Sequence, residues 1–165
     1  MSRVAVLSDT HGDLSNLAKV KEQLGKVDWL IHAGDLLRDA RPAARALGVD
    51  LGRVRSVIGN CDSHRIEPVQ DHFAIGGISF LLVHGHHDGV KYSYDRVYYR
   101  AREAGARVVV FGHSHVPLCS DQDGVLLFNP GSLTVPRVLG QPPTCGLLEV
   151  EDGIIKTARI VAALG

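Results

Sequence analysis

Side chains that commonly bind metal ions occur in five separate parts of the chain, each at or just after the end of a short apolar run. The five segments are Asp9-Thr10-His11, Gly34-Asp35, Gly59-Asn60-Cys61-Asp62, His84-Gly85-His86 and Gly112-His113-Ser114-His115. Carboxylate oxygen, amide oxygen and imidazole nitrogen together suit a borderline divalent ion such as Mn, Fe, Zn or Co. The cysteines are not paired as a closed structural zinc site requires. The pattern therefore indicates a mixed oxygen and nitrogen metal site.

The number of candidate ligands exceeds what one open catalytic ion needs. His11 follows Asp9 by two residues, and extended backbone places such a pair on one side of the chain. His113 and His115 have the same spacing. A shared carboxylate would allow the whole set to hold two ions. The seven predicted metal ligands are Asp9, His11, Asp35, Asn60, His84, His113 and His115.

Two ions of this kind point to phosphate ester hydrolysis. The attacking and departing oxygens lie on opposite sides of phosphorus, and negative charge accumulates between them. Two cations about 3.5–4 Å apart can bind a bridging water, lower its pKa and neutralise the phosphoryl oxygens. The sequence therefore predicts a phosphoesterase that uses a metal-bridging hydroxide.

The apolar runs before these segments predict the strands that would position them. Runs rich in β-branched residues predict buried strands over residues 4–8, 29–33, 53–58, 78–84 and 108–111. Helices are predicted after Asp13, which would cap a helix extending to Leu24, over 41–47 and over 93–103. Alternating strands and helices favour βαβ units, in which the carboxyl ends of parallel strands meet at a common, ligand-binding edge.

The last third of the chain has a different pattern. Asp123-Gly124 and Asp152-Gly153 predict two antiparallel hairpins, over 117–128 and 146–161. Two packed sheets with outer helices accommodate both halves of the chain. No repeat or linker is visible, so we expect a single domain over residues 1–165.

Composition limits the classes of function. Apolar residues make up 45% of the chain and charged residues 22%, as in an ordinary globular domain. Lys plus Arg and Asp plus Glu number 18 each, which argues against long nucleic acid as a partner. The three cysteines are widely spaced, and the N-terminal apolar run is too short for a signal or a membrane span. We therefore expect a cytoplasmic protein with no membrane partner, and homo-oligomerisation is compatible with the sequence.

The ordered motifs DxH, GD, GN, HxH and GHxH resemble those of the calcineurin-type metallophosphoesterase family over nearly the whole chain, from residue 4 to 150. Asn129-Pro130-Gly131-Ser132 and Pro136-Arg137 are similar to its small phosphodiesterase branch in bacteria and archaea. The resemblance implies a two-sheet α/β/β/α sandwich, with mixed sheets, and two divalent ions. Manganese is favoured, with Fe, Zn, Co, Ni or Mg as alternatives. By this resemblance Asp9, His11, Asp35 and His115 hold the first ion, and Asp35, Asn60, His84 and His113 hold the second, with Asp35 bridging.

The chain departs from the family pattern at Cys61, where many members have a histidine that helps bind phosphate and is often assigned as the acid for the leaving group. A thiol is a weak hydrogen-bond donor, so the leaving group is expected to receive little help. His86 is either a ligand, a phosphate contact or a group that supports a ligand. The predicted catalytic residues are Asp35, Asn60, Cys61 and His86. Among the other histidines, His32 is predicted to be hydrogen bonded in the core, and His64 and His87 are weaker candidates.

The favoured function is hydrolysis of a small phosphodiester, and two alternatives differ from it. A eukaryotic retromer subunit has this fold and serves as an interaction scaffold with a degraded metal site. The complete ligand set of this chain argues against that function. A nuclease or cyclic-nucleotide phosphodiesterase shares the chemistry; the zero net charge disfavours long nucleic acid and leaves a dinucleotide or cyclic nucleotide open.

Overall fold

Two five-stranded sheets form the centre of the protein, which is described by a computed structural model over residues 1–63 and 68–165. His64 lies outside the described residues. The strands are β1 (Ser2–Leu7), β2 (Trp29–His32), β3 (Val54–Ser56), β4 (Gln70–Ile75), β5 (Ile78–Val83), β6 (Val108–Val110), β7 (Leu118–Gln122), β8 (Val125–Asn129), β9 (Thr144–Glu151) and β10 (Ile154–Ala162). The α-helices are α1 (Leu17–Leu24), α2 (Ala40–Leu47) and α3 (Asp95–Ala104).

Both sheets are mixed. The first has the order β10-β9-β1-β2-β3, in which β1, β2 and β3 run parallel and β9 pairs antiparallel with both β1 and β10. The second has the order β4-β5-β6-β8-β7, in which β5, β6 and β8 run parallel and the edge strands β4 and β7 run antiparallel to them. The carboxyl ends of the parallel strands lead into the segments that contain the candidate metal ligands.

Side-chain alternation along β1 explains how the layers pack. Val4 and Val6 lie in the apolar core between the two sheets, together with Phe80 and Phe128 of the second sheet. Residues on the opposite side of β1 pack with α1 and α2. Helix α3 covers the outer face of the second sheet. Because successive strand residues point to opposite faces, one apolar run serves two cores. The α/β/β/α sandwich predicted from the sequence is therefore confirmed.

The structure differs from the sequence analysis at two places, one strand that was not predicted and one helix that begins later than predicted. Strand β4 was not predicted, because Phe73 and Ile75 are its buried apolar residues and its remaining positions are mostly polar. Helix α1 begins at Leu17 rather than after Asp13. The Asp13 carboxylate accepts a hydrogen bond from the Ser15 backbone N–H at 2.8 Å, so this side chain stabilises a tight turn before the helix.

Within residues 1–63 and 68–165, every helix is too short or too polar to cross a bilayer.

Candidate metal centre

The predicted ligands meet where the carboxyl ends of the parallel strands of both sheets come together. Backbone hydrogen bonds tie these ends to each other: Asp9 N–H donates to Gly34 O at 2.9 Å, and Gly112 N–H donates to His84 O at 2.9 Å. The His113 N–H donates to Asp9 Oδ2 at 3.0 Å and links the two sheets directly. Segments distant in sequence are thus placed within contact distance.

The first group of donor atoms comes from Asp9, His11 and His115, and these atoms all lie within 4.8 Å of one another. His115 Nε2 is 3.2 Å from Asp9 Oδ1. The Nε2 atoms of His11 and His115 are 3.3 Å apart. Two imidazole nitrogens and a carboxylate oxygen that converge in this way suit one borderline divalent ion.

The second group comes from Asp35, His84 and His113, whose donor atoms also lie within 4.8 Å of one another. His84 Nε2 is 3.4 Å from Asp35 Oδ2 and 3.0 Å from Asn60 Oδ1. Asp35 also belongs to a group with His11, a residue of the first set. The Asp35 carboxylate therefore lies between the two sets of donors.

One buried atom of the site shows that the arrangement suits a cation. Asp9 is fully buried, and its Oδ2 accepts hydrogen bonds from Ser8 Oγ at 2.6 Å and from His113 N–H. Its Oδ1 has no hydrogen-bond donor among the described residues, because His115 Nε2, at 3.2 Å, belongs to a ring whose Nδ1–H faces Val135 O. A buried carboxylate oxygen without a donor is unfavourable unless a cation lies beside it. The orphaned Oδ1 therefore fits a metal ion in the first group.

The backbone at the ligands is unusual as well. Among the described residues, seven non-glycine residues have a positive φ. Two of them, Asp123 and Asp152, lie in the hairpin turns. The other five are all predicted ligands, with φ between 49° and 66°: Asp9, His11, Asp35, His113 and His115. Such residues cost about 1–3 kcal/mol each and cluster at functional sites, so the strain itself marks this site.

Comparison with known proteins agrees with this geometry. Residues 2–153 match the family model described as the calcineurin-like phosphoesterase superfamily domain. The chain belongs to the calcineurin-like phosphoesterase superfamily. The resemblance recognised in the sequence motifs is thereby confirmed.

Relatives of this member of the superfamily are found in several bacteria. The probable metallophosphoesterase YsnB of Bacillus subtilis is 39% identical over 139 residues, which cover 82% of this chain and 77% of YsnB. The phosphodiesterase YfcE of Escherichia coli K12 is 29% identical over 171 residues, covering 90% of this chain and 88% of YfcE. Both relatives are thus named as enzymes that act on phosphate esters.

Solved structures share the fold of this phosphoesterase-family chain. A Streptococcus pneumoniae protein described as a predicted phosphoesterase has a TM-score of 0.79 and 28% identity, covering 98% of this chain and 90% of the other. Vps29 of Entamoeba histolytica has a TM-score of 0.76 and 21% identity, covering 97% and 98%. The second likeness concerns the fold alone.

Of the predicted catalytic residues, His86 lies beside the second group, whereas Cys61 lies beside Asp35 and His11. The His86 ring is tilted relative to its neighbours: its centroid lies 5.3 Å from that of His84, 6.1 Å from that of His113 and 3.9 Å from that of His87. The His86 Nδ1 atom is buried without a hydrogen-bond partner among the described residues. Cys61 is exposed, and its backbone N–H donates to Asp35 Oδ1 at 2.8 Å. Their roles, like the individual ligand assignments, stay predictions.

The side chains of Asp62 and Ser132 hold the loops that carry the ligands. No such role was predicted for Asp62 from the sequence. The Asp62 carboxylate accepts from the N–H groups of Gly59 at 2.7 Å and Asp35 at 3.1 Å. Its position three residues after Gly59, where a carboxylate can close a turn, was the available signal. Ser132 Oγ donates to Asp9 O at 2.8 Å, so the loop after β8 supports the first ligand. Both contacts hold backbone rather than ligand atoms.

A buried polar network supports the segment around Thr10. Thr10 Oγ1 donates to Asp39 Oδ2 at 2.6 Å and lies 3.0 Å from His32 Nε2. Asp39 Oδ2 also accepts from the Gly12 N–H at 2.8 Å. His32 is therefore a hydrogen-bonded core histidine, as expected from its place in a strand. Burial lowers its pKa to about 4, which keeps the ring neutral. No role was predicted for Asp39.

Backbone carbonyls orient two of the histidines. His84 Nδ1 lies 2.6 Å from Ala33 O, and His115 Nδ1 lies 2.6 Å from Val135 O. When such a ring is neutral, donation of Nδ1–H to the carbonyl leaves Nε2 unprotonated and able to bind a metal ion. Such partners are common around metal-binding histidines, because they fix the tautomer and the ring orientation.

The electrostatics of the second group are set by buried opposite charges. Burial by itself raises the pKa of Asp35, but the hydrogen bond and charge of His84 and the Cys61 amide lower this pKa well below its usual value. Burial by itself lowers the pKa of His84, but Asp35 and Asp9 raise it above 6.5. Burial and the charge of His84 lower the pKa of His113 to about 4. His113 is thus neutral near neutral pH, whereas the carboxylates beside His84 favour its protonated form.

This difference predicts how metal affinity depends on pH. A bound ion must displace the proton from His84, so affinity should increase as pH rises from 6.5 toward the higher pKa of this residue. The slope is about tenfold per pH unit while one proton is displaced, and it levels off once the ring is neutral. Equilibrium dialysis of Mn²⁺ against metal-stripped protein over this range measures the slope. A pH-independent affinity would contradict the proton assignment to His84.

Gly59 gives a second prediction, because its Cα lies against the Asp35 carboxylate. A Cβ at this position would overlap Asp35 Oδ1. We expect Gly59→Ala to displace the carboxylate and to weaken metal binding by about 10- to 100-fold, the range found for groups that orient ligands. The control is Gly52→Ala, where the new Cβ lies 3.3 Å from a surface Asp50 carboxylate oxygen. Metal titration of both variants tests this, and equal affinities would contradict it.

Proposed function

We propose that this protein is a phosphodiesterase that works with two divalent metal ions. The observation that supports this most is the position of Asp35 between two groups of donor atoms. One group contains two histidines and the buried Asp9, and the other contains two histidines with Asn60 nearby. A carboxylate between two groups of ligands can bind both ions of a pair about 3.5–4 Å apart.

The ligand assignment that we propose follows these groups. Asp35 would bridge the ions. The first ion would be held by Asp9, His11, Asp35 and His115, and the second by Asp35, Asn60, His84 and His113. When bound, two such ions supply an activated water and neutralise charge on the phosphoryl oxygens.

The protein's own groups would orient the reaction. Nδ1 of His84 and of His115 is held by a carbonyl, so each ring presents Nε2 in a fixed direction. His86 lies beside the second group and is a candidate contact for a phosphoryl oxygen. Burial and the neighbouring charges of His84 and His87 lower the pKa of His86, so the ring is neutral near neutral pH and can donate a hydrogen bond. Cys61, at the exposed edge, donates protons poorly.

The substrate class we propose is a small phosphodiester. The relative YfcE is named a phosphodiesterase, and the probable metallophosphoesterase YsnB points to the same general chemistry. Zero net charge disfavours long nucleic acid, and we propose neither a membrane partner nor a location other than the cytoplasm. Manganese is the proposed metal because carboxylate and amide oxygens suit it, while the imidazoles also accept Fe, Zn, Co or Ni.

The scaffold alternative rests on the fold shared with Vps29. An interaction scaffold has no need for converging metal ligands in a strained backbone. Five of the predicted ligands have positive φ, and Asp9 Oδ1 is buried without a partner among the described residues. These features favour the enzyme over the scaffold.

A substrate panel on metal-stripped protein tests the proposal. Mn, Fe, Zn, Co, Ni and Mg are added separately, and nitrophenyl monoesters and diesters, cyclic nucleotides and a dinucleotide are supplied as substrates. We expect metal-dependent hydrolysis, faster for diesters than for monoesters. Asp9→Asn should abolish it, whereas Asp152→Asn in the β9–β10 turn should not. If no metal supports hydrolysis of any ester, the proposed function is wrong.

A further inference from the structure

Cys61 lies where it can reach a metal ion in the first group. Its Sγ, a His11 ring nitrogen and an Asp35 carboxylate oxygen all lie within 4.8 Å of one another. The Cys61 N–H holds this segment against Asp35 through the 2.8 Å hydrogen bond to Oδ1. The Asn60 side-chain amide is 3.6 Å from Sγ and directs its own oxygen toward His84. The thiol is therefore positioned beside two proposed ligands of the same ion.

A second observation points to a ligand at this position. His11 is shared between the group with Cys61 and the group with Asp9 and His115. Asp9, whose buried Oδ1 lacks a donor, belongs to the group with His115 and is connected to the Cys61 group through His11. The site thus contains an unsatisfied buried anion on its inner side and an exposed thiol on its outer side.

Sulfur differs from the other donors in its choice of metal. Thiolate is a soft ligand that selects ions such as zinc over magnesium and manganese, which prefer oxygen. A zinc–sulfur bond is about 2.3 Å long and needs a deprotonated thiol, so its formation releases a proton to solvent. The other proposed ligands of the first ion are oxygen and nitrogen atoms.

We infer that Cys61 is a conditional metal ligand: it binds a thiophilic divalent ion held by His11 and Asp35, and it leaves manganese to the oxygen and nitrogen ligands. This inference rests on the proposed metal centre. A catalytic site keeps one position open for water or substrate, whereas a closed set of ligands does not. Binding of sulfur at the exposed side closes that position. Thiophilic ions would therefore bind firmly and support hydrolysis poorly.

Cobalt spectroscopy tests the inference separately from the metal centre. Metal-stripped protein is titrated with Co²⁺, whose visible bands report binding by any ligand and whose near-ultraviolet sulfur charge-transfer band reports thiolate. We expect both signals in the native sequence. Cys61→Ser should lose the charge-transfer band and keep the visible bands. Cys119→Ser, which changes the other exposed cysteine, should keep both.

The outcomes distinguish two failures. Visible bands without a sulfur band in the native sequence would overturn the role of Cys61 and leave the metal centre intact, as would a sulfur band that persists in Cys61→Ser. Absence of bound cobalt would overturn the metal centre and the inference together.

A second measurement needs no variant. We expect Cd²⁺, but not Mn²⁺, to protect Cys61 of the native protein from iodoacetamide, with Cys119 modified equally in all samples. Equal modification of Cys61 with both ions would contradict the inference.

Discussion

Asp35→Asn is expected to remove nearly all hydrolytic activity and to weaken the binding of both ions. Asp35 is the carboxylate that lies between the donors of the two groups, 3.4 Å from His84 Nε2 and grouped with His11 on the other side. An amide presents one oxygen and no negative charge, so it cannot bridge two cations in the same way. The rate should fall at least about 10²–10³-fold, the range for losing one electrostatic contact to developing charge.

The measurement combines rate and metal content. Hydrolysis of a nitrophenyl diester and bound metal per chain are determined at several Mn²⁺ concentrations. Asp50→Asn, the same exchange in the turn before β3, serves as the control, because asparagine caps such a turn as well as aspartate does. A variant at Asp35 that keeps normal metal stoichiometry and most of its rate would disprove the bridging role.

Cys61→His is the second prediction with a large effect. We expect the substitution to raise the rate on diesters with poor leaving groups far more than on nitrophenyl diesters. Protonation of a departing alkoxide typically contributes ~10²–10⁴-fold, and an aryl oxide needs it less because it leaves as a stable anion. Cys61 is exposed, so a larger imidazole has room to extend outward.

The slope of log rate against leaving-group pKa provides the measurement. The native protein should give the steeper slope, provided that the metal content of both proteins is equal. Cys61→Ser is the matched control, because it removes the thiol without adding an acid with a suitable pKa. Equal slopes for native and Cys61→His would mean that another group supplies the proton. His86, which lies beside His84, is then the first residue to replace.

The candidate ligands could be selected from the sequence because each follows a strong local signal. A buried strand is a nearly continuous apolar run, and a carboxylate or histidine directly after it stands out. Asp9 follows β1 in this way, and His84 follows β5. Their meeting was predictable from one rule, that the ends of parallel strands share an edge. Which oxygen or nitrogen each ligand presents depends on contacts across the fold, which spacing does not encode.

The supporting residues were harder to predict. Asp62 closes a loop through backbone N–H groups, and such a role leaves no periodic pattern in the sequence. Asp39 joins Thr10 only because the two loops are adjacent in space. Strand β4 is half polar because it lies at a sheet edge. Asp13 precedes a helical pattern, yet a hydrogen bond two residues away stabilises a turn instead. In each case a tertiary or very short-range contact outweighs the pattern.

The position of β1 has a consequence for how the protein is made. This first strand lies in the middle of its sheet, with Ser2 paired to Val150 of β9. The Asp9 loop that follows it is held by Ser132 and by the backbone of His113. During synthesis β1 can pair with β2 soon after both have emerged, whereas its other neighbour, β9, is made much later. A chain interrupted before β9 would leave one side of β1 as an exposed sheet edge, a risk for aggregation. The proposed metal ligands extend from Asp9 to His115, so the site can be complete only after β6 has been made.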